Sequence, residues 1–353
     1  MYVIVLSFLT AFTLTYFAIP SIILVAKRKG LTDEPNERSS HTVSMPSLGG
    51  IGIFSGAIFS IVLWTPFDRF GDLQYILCAF LILFLAGARD DLVPLSANKK
   101  LFAQLLAALI LTLLAKVRLN GFYGLFGWYG NAYQWPYTVV SILFILLLVN
   151  AFNLIDGING LAGSVGALIA GTLGCWFYLT QQYEFATIAF ATVGAILAFL
   201  RYNFTPAQIF MGDTGALFIG LVSSILVIQF IDSNSSLDPS SPFRLHSGPA
   251  VAAGITIIPI FDTLRVFITR IIRGHSPFHA DRRHIHHLLI DDGWSHMEAT
   301  GILLFVNVIF ITLVLALHDL LELHCFMLLI LLSAAVLTYI LHTLVIRKKQ
   351  NAS

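Results

Sequence analysis

Eleven stretches of this chain are apolar for long enough, or nearly long enough, to cross a lipid bilayer, and no other feature limits its fold as strongly. They cover residues 2–26, 48–66, 73–88, 101–117, 137–152, 161–180, 185–200, 216–231, 249–268, 300–317 and 325–346. A helix spanning the hydrocarbon core needs about 18 or more such residues. Only 11% of the 353 residues are charged, less than half the share of ~25% found in soluble domains. That excludes a soluble globular enzyme, a disordered chain and a nucleic-acid-binding protein with a basic face. The pattern predicts an all-α polytopic membrane protein, a single domain over 1–353 built on about eleven transmembrane helices.

Charge distribution sets the expected orientation. Lys27, Arg28 and Lys29 follow the first run, and Arg347, Lys348 and Lys349 follow the last. Alternating the runs across the membrane leaves only Arg69, Lys116, Arg118 and Arg244, of 20 Lys and Arg, on the side opposite these clusters. The positive-inside rule then predicts an N-terminus outside and a C-terminus in the cytoplasm. A buried soluble core would show no such bias. Met1 has no basic region behind it and no small-residue cleavage site follows, so the first run reads as a span rather than a cleavable signal. Gly52 and Gly56 form a GxxxG pair, and Gly163, Gly166 and Ala170 share a side of their run, positions that let helix backbones approach in lipid. Cys78, Cys175 and Cys325 sit in apolar runs without CxxC spacing and read as buried, inert thiols.

The loops expected outside are bland: 232–247 reads as a solvated linker and 120–135 as an aromatic interfacial turn or short hairpin. Five connections expected inside are chemical. Residues 39–50, SSHTVSMPSLGG, bring His41, Pro46 and Gly49-Gly50 to the second run, although a plain connecting loop would read the same way. Asp90 and Asp91 are adjacent carboxylates that need a cation or proton between them, with Lys100 downstream; such pairs serve Mg²⁺-bound phosphates, or merely cap a helix. In NAFNLIDGINGLAG (150–163), Asn150, Asn153, Asp156 and Asn159 recur every three residues, which suits recognition of a uracil edge or a sugar, or polar contacts between helices. IFMGDTG (209–215) places Asp213 between glycines at a helix start, fit for a metal-bound diphosphate or a simple N-cap.

The fifth, 270–293, carries His275, His279, His284, His286 and His287 with Arg273, Arg282 and Arg283. Zinc ligation is one reading and contact with anionic lipid another, but a cationic cradle for phosphates fits the arginines better. Upstream, Asp262 and Arg265 lie one turn apart and should pair.

Together these motifs describe a site on the cytoplasmic face for a nucleotide-activated substrate, with a membrane wall suited to a lipid acceptor. A proton- or ion-coupled transporter would place its charges nearer the midplane, and a non-catalytic scaffold would not need acids, amides and histidines on five loops.

In order, HxxxxPxxGG, GARDD with its downstream Lys, NAFNLIDGINGLAG, FMGDTG and DRRHIHH resemble the polyprenyl-phosphate N-acetylhexosamine-1-phosphate transferases, over nearly the whole chain. The SPF…DRxHIHH segment is similar to the branch that uses UDP-N-acetylglucosamine (UDP-GlcNAc) rather than the muramoyl-pentapeptide nucleotide. The resemblance implies transfer of GlcNAc-1-phosphate from UDP-GlcNAc to undecaprenyl phosphate with release of UMP, the first membrane step of a cell-surface glycan pathway. The same chemistry on another UDP-N-acetylhexosamine or on the muramoyl nucleotide is the competing expectation.

The resemblance also implies Mg²⁺, with Mn²⁺ as a substitute, a bacterial cytoplasmic membrane, and assembly that is often dimeric. Carried over by position, it gives Asp90, Asp91, Asp156 and Asp213 as catalytic, with Asp213 and Asp91 on the metal. Asn153 and Asp156 would contact the uridine side and Phe210 would stack on uracil. His41, Lys100, Arg265, Arg282, His284, His286 and His287 would hold phosphates or sugar. Asn159 stands where the family commonly has an acid, so it is assigned to recognition alone.

Overall fold

A computed structural model describes residues 2–31, 45–66, 71–128, 133–274 and 284–352, with side chains after Leu341 described only at Thr343. All regular structure among them is helical, as a chain deprived of water requires of its backbone. Thirteen helices run in order: α1 (Tyr2–Lys29), α2 (Gly49–Trp64), α3 (Leu73–Leu92), α4 (Ala97–Leu109, prolonged by a π-helical turn, Ile110–Leu114), α5 (Gln134–Ile155), α6 (Leu161–Leu179), α7 (Tyr183–Asn203), α8 (Gly212–Ser236), α9 (Gly248–Ile255), α10 (Ile257–Ile272), α11 (Ile285–Asp291), α12 (His296–Leu317) and α13 (Leu323–Ala352).

Each of the eleven apolar runs corresponds to helix. Among the described residues, nine helices are long and apolar enough to cross a membrane. The ninth run, 249–268, is broken: α9 and α10 meet at 83°. The break frees the Ile255 carbonyl, which accepts from Asn307 Nδ2 at 3.3 Å, so a buried amide on α12 answers the lost helical bond. The second run forms α2, whose 16 residues make about 24 Å at 1.5 Å per residue.

The bundle is organised around α8, buried along nearly its whole length and packed by α2, α3, α5 and α6. Helix α7 closes the far side against α1, α2 and α6. Glycines bring α2 and α3 onto the first turn of α8. A Cβ on Gly50 would collide with the backbone of Gly215, and one on Gly87 would lie 2.5 Å from Thr214 Cα. Any side chain at either position would push a helix off the turn that carries Asp213.

Three sequence expectations are corrected here. Cys78, Cys175 and Cys325 are exposed rather than buried: an apolar run fixes residence in lipid but not which helix face meets the bundle. Segment 120–135 forms no hairpin in its described part, but a short 3₁₀ turn, Leu125–Gly127, anchored by Phe126 N–H donating to His324 Nε2 at 3.0 Å. The long 270–293 connection is not all loop, since 285–291 form α11.

Candidate active site

Four connections expected on one side of the membrane meet at one end of the bundle and enclose a cavity of about 470 Å³. Its walls include Gly30, Leu31 and Ser47; Asp90 and Asp91; Asn153, Asp156 and Asn159; Asn203; Phe210 and Asp213; and His296. Asp91, Asp156 and Asp213, from three connections far apart in the chain, therefore share one site.

The two adjacent aspartates point to different partners. Asp90 Oδ1 accepts from Leu95 N–H at 2.6 Å, which shapes the turn into α4. Its Oδ2 lies 2.7 Å from Lys100 Nζ. Lys100 Nζ also donates to Asp213 Oδ2, so one ammonium bridges the two carboxylates. Asp91 reaches α8 instead: Oδ1 accepts from Asp213 N–H at 2.7 Å, and Oδ2 from Thr214 N–H at 3.1 Å and Thr214 Oγ1 at 2.5 Å. It satisfies the donors that a helix start leaves unpaired. Gly212 precedes this turn with φ +73, and a Cβ there would lie 2.7 Å from Asp91 Oδ1. Glycine is required at this point by both the backbone angle and the space.

Asn153 comes within hydrogen-bonding reach of Asp213. Asp156 follows directly on α5, and its carboxyl is pushed up to about 8 by burial and then by the charges of Asp213 and Asp91. Asn159 is fixed at three points: Nδ2 donates to Thr205 Oγ1 at 3.2 Å, its carbonyl accepts from Thr300 Oγ1 at 2.8 Å, and its N–H approaches His296 Nδ1 at 3.5 Å. Asn150, first of the repeating polar set, stays in the helix interface, where Nδ2 donates to Gln104 Oε1 at 2.7 Å. Phe210 lines the cavity, and its backbone ties loop to helix: N–H donates to Pro46 O at 2.8 Å and O accepts from Gly49 N–H at 2.9 Å.

His284, His286 and His287 lie behind this wall. Asp262 and Arg265 pair at 2.8 Å, as their spacing predicts. The same buried carboxylate takes His284 Nδ1 at 2.9 Å and Ile285 N–H at 3.1 Å. His284 stacks on His286, centroids 5.8 Å apart, and His286 meets His287 at 4.2 Å. His286 Nε2 abuts Gly157, leaving no space there for a side chain. Burial, followed by the neighbouring His287, pushes His286 down to about 3, so it is neutral near pH 7. None of Arg265, His284, His286 and His287 is among the residues that line the cavity. His41 and Arg282 lie outside the described residues, as do His275, His279 and Arg283.

Sequence reasoning missed Asn203, His296 and Ser47. Asn203 is 5% exposed; Oδ1 accepts from Gly160 N–H at 2.7 Å, and Nδ2 donates to Ile209 O at 2.9 Å. One carboxamide thus joins the ends of α6 and α7 to the Phe210 loop. A polar amide closing an apolar run was the available signal. His296 stands just past the histidine cluster, at the first position of α12, and carried no signal of its own.

The donors facing the cavity are hard oxygens, from Asp90, Asp91, Asp156, Asp213, Asn153 and Asn159. That set suits Mg²⁺ or Mn²⁺ better than zinc. Among the described residues Lys100 is the cation in contact with Asp90 and Asp213, while Asp156 is pushed up first by burial and then by the charges of Asp213 and Asp91.

Residues 73–231 match the family described as glycosyl transferase family 4. The match runs from α3 nearly to the end of α8 and takes in every aspartate of the cavity. The chain also resembles curated bacterial proteins over most of its length. A Yersinia pestis protein named undecaprenyl-phosphate alpha-N-acetylglucosaminyl 1-phosphate transferase is 29% identical over 283 residues, covering 78% of this chain and 73% of its own. The protein of that name from Escherichia coli K12 is 28% identical over 280 residues, with the same coverage. A Bacillus subtilis protein, named "Probable undecaprenyl-phosphate N-acetylglucosaminyl 1-phosphate transferase", is 29% identical over 307 residues, 87% of this chain and 83% of its own.

Proposed function

We propose that this chain transfers GlcNAc-1-phosphate from UDP-GlcNAc to undecaprenyl phosphate, giving undecaprenyl-diphospho-GlcNAc and UMP, in the cytoplasmic membrane of a bacterium. The observation that carries the reading is the gathering of Asp90, Asp91, Asp156 and Asp213 with Asn153 in one cavity at the ends of apolar helices. The names of the relatives supply the substrates, and the asymmetry of basic residues supports a cytoplasmic opening.

The chemistry follows from these groups. An oxygen of the lipid phosphate attacks the β-phosphorus of the nucleotide in line. The new P–O bond replaces the one to the bridging oxygen, which leaves with its electron pair on UMP. A phosphate monoester is already ionised near pH 7, so Asp90 orients the acceptor rather than removing a proton from it. Two anions must approach each other, and Lys100, held between Asp90 and Asp213, lowers their repulsion where the bond is exchanged. Asp213 and Asp156 would hold Mg²⁺, with Asn153 beside them and Asp91 fixing the turn that aims Asp213. When bound, the ion would offset the charge building on the leaving UMP. One phosphoanhydride replaces another, so the reaction should be reversible by UMP.

The test is purified protein with undecaprenyl phosphate, Mg²⁺ and a panel of UDP-sugars, with released UMP as readout. UMP from UDP-GlcNAc alone supports the full assignment. Preference for another UDP-N-acetylhexosamine or the muramoyl nucleotide would keep the chemistry and change the donor. Release from none of them would overturn the assignment.

A further inference from the structure

Two histidines and a carboxylate meet at the opposite end of the bundle, in segments that the sequence marked as bland. His246 closes the connection from α8 to α9, while His318 and Asp319 form the turn between α12 and α13. Helix α8, 25 residues long with Asp213 in its first turn, lies between the two places and measures roughly 37 Å. Both Nδ1 atoms face Asp319 Oδ1, His246 in a short contact and His318 at 2.8 Å. A ligand atom from each of the three residues lies within 4.8 Å of the other two. The rings stack, with centroids 6.3 Å apart and planes inclined by 18°.

Asp319 Oδ1 receives both imidazoles, and His318 Nδ1 also lies 3.3 Å from the backbone N–H of His246. Protonated at Nδ1, the two rings donate to the carboxylate. In the other tautomer the same two nitrogens present lone pairs beside the carboxylate oxygen, three donor atoms converging on one point.

The segment carrying His246 is held by the rest of the fold. Asn234 Nδ2 donates to Leu245 O at 2.7 Å and its Oδ1 accepts from Leu245 N–H at 2.8 Å. Trp176 Nε1 donates to Phe243 O at 2.9 Å. His318 is only 15% exposed, whereas His246 and Asp319 are 67% and 58% exposed and leave the open side to water.

We propose that His246, His318 and Asp319 form a zinc site that clamps the α8–α9 connection to the α12–α13 turn. Two neutral imidazoles and a carboxylate are a recurrent zinc donor set, completed by water in the fourth position. Nitrogen donors disfavour Mg²⁺ and Ca²⁺, which separates this site from the oxygen-lined cavity. The ligands come from segments 72 and 73 residues apart in the chain, so a bound ion would favour the folded form over the unfolded one.

The experiment uses the full chain in detergent, free of any histidine tag and stripped with EDTA. It is dialysed against low-micromolar Zn²⁺, and metal content and melting temperature are then read. The expected result is one zinc per chain in excess of that bound by His246→Ala and His318→Ala, and a melting temperature raised by Zn²⁺ but not by the same concentration of Mg²⁺. Each histidine variant and Asp319→Asn should weaken zinc binding at least ~10-fold, since even outer-shell changes cost that much. All three should retain wild-type UMP release, which also verifies that they fold. Zinc content and melting shift equal in wild type and the variants would overturn the proposal, and would leave a hydrogen-bonded imidazolium–carboxylate latch as the account of this contact.

Discussion

Asp91 Oδ1 accepts the backbone N–H of Asp213 at 2.7 Å, so the last turn of α3 caps the first turn of α8. The residue beside it, Asp90, shares Lys100 with that same Asp213. Two neighbouring carboxylates thus act on a third by different routes, one through its backbone and the other through its side-chain charge.

Asp91→Ala should therefore cost stability as well as activity. Removing a helix cap and leaving buried donors without partners costs about 1–3 kcal/mol. Asp91→Asn keeps one acceptor oxygen but turns an NH₂ group toward the donors of Thr214, so it should recover only part of the loss. Thermal melting in detergent, followed by Trp fluorescence, separates the two effects. A variant that melts like wild type would remove the capping role.

Lys100→Met should affect rate and metal dependence in opposite senses. Losing the ammonium between Asp90 and Asp213 should lower UMP release by ~10²-fold or more, the scale seen when a preorganised charge is removed. The same loss leaves the carboxylates more negative, so half-saturation by Mg²⁺ should move to lower concentration. A Mg²⁺ titration at saturating substrate checks both. Unchanged half-saturation would mean that Lys100 and the metal do not share Asp213.

How far the sequence foretold this arrangement depends on what each residue faces. The apolar runs fixed the helices almost one for one, because lipid leaves the backbone no alternative. The polar residues that interrupt those runs, Asp90, Asp91, Asn153, Asp156 and Asp213, were conspicuous for the same reason, and all line the cavity. Periodicity could not separate Asn150, which bonds Gln104, from Asn153 three residues later, since both occupy one helical stripe. Pro259, whose missing N–H leaves the Ile255 carbonyl open, is the local signal for the 83° break before α10, whereas the compensation by Asn307 comes from a helix remote in sequence. His284 bears the same residue type as a phosphate ligand would, but a buried Asp262 22 residues earlier takes its Nδ1. Contacts made across the fold decide such cases, and side-chain type alone does not.

Magnesium binding should release a proton near neutral pH. The Asp156 carboxyl is raised to about 8 in the folded protein, against ~3.9 for an ordinary aspartate in the unfolded chain. Between those values the folded state holds a proton that the unfolded state lacks. This group's contribution to stability therefore falls as pH rises from about 4 to about 8 and is level above that. An ion bound by Asp156 requires the ionised form, so apparent Mg²⁺ affinity should rise with pH up to about 8 and then flatten. Calorimetry at pH 7 in two buffers of different ionisation enthalpy should read close to one proton released per Mg²⁺, falling toward zero at about pH 9. Asp156→Asn should abolish that release.

Asn203 offers a change that loosens the cavity without touching the carboxylates. Its two hydrogen bonds hold Gly160, at the start of α6 with φ +80, and Ile209, beside Phe210. Asn203→Ala leaves a buried N–H and a buried carbonyl unsatisfied, at about 1–3 kcal/mol each. The Asn159 wall and the Phe210 loop are then no longer tied to each other, although Asp90, Asp91, Lys100 and Asp213 keep their mutual contacts. Nucleotide binding should weaken more than turnover, so KM for UDP-GlcNAc should rise several-fold while kcat falls less. Asn203→Asp retains the acceptor for Gly160 N–H, loses the donor to Ile209 O and adds a charge, so it should not restore the melting temperature. Steady-state kinetics with melting curves on both variants decide the matter. A fall in kcat alone, with KM and melting unchanged, would place Asn203 in the reaction step rather than in the frame around it.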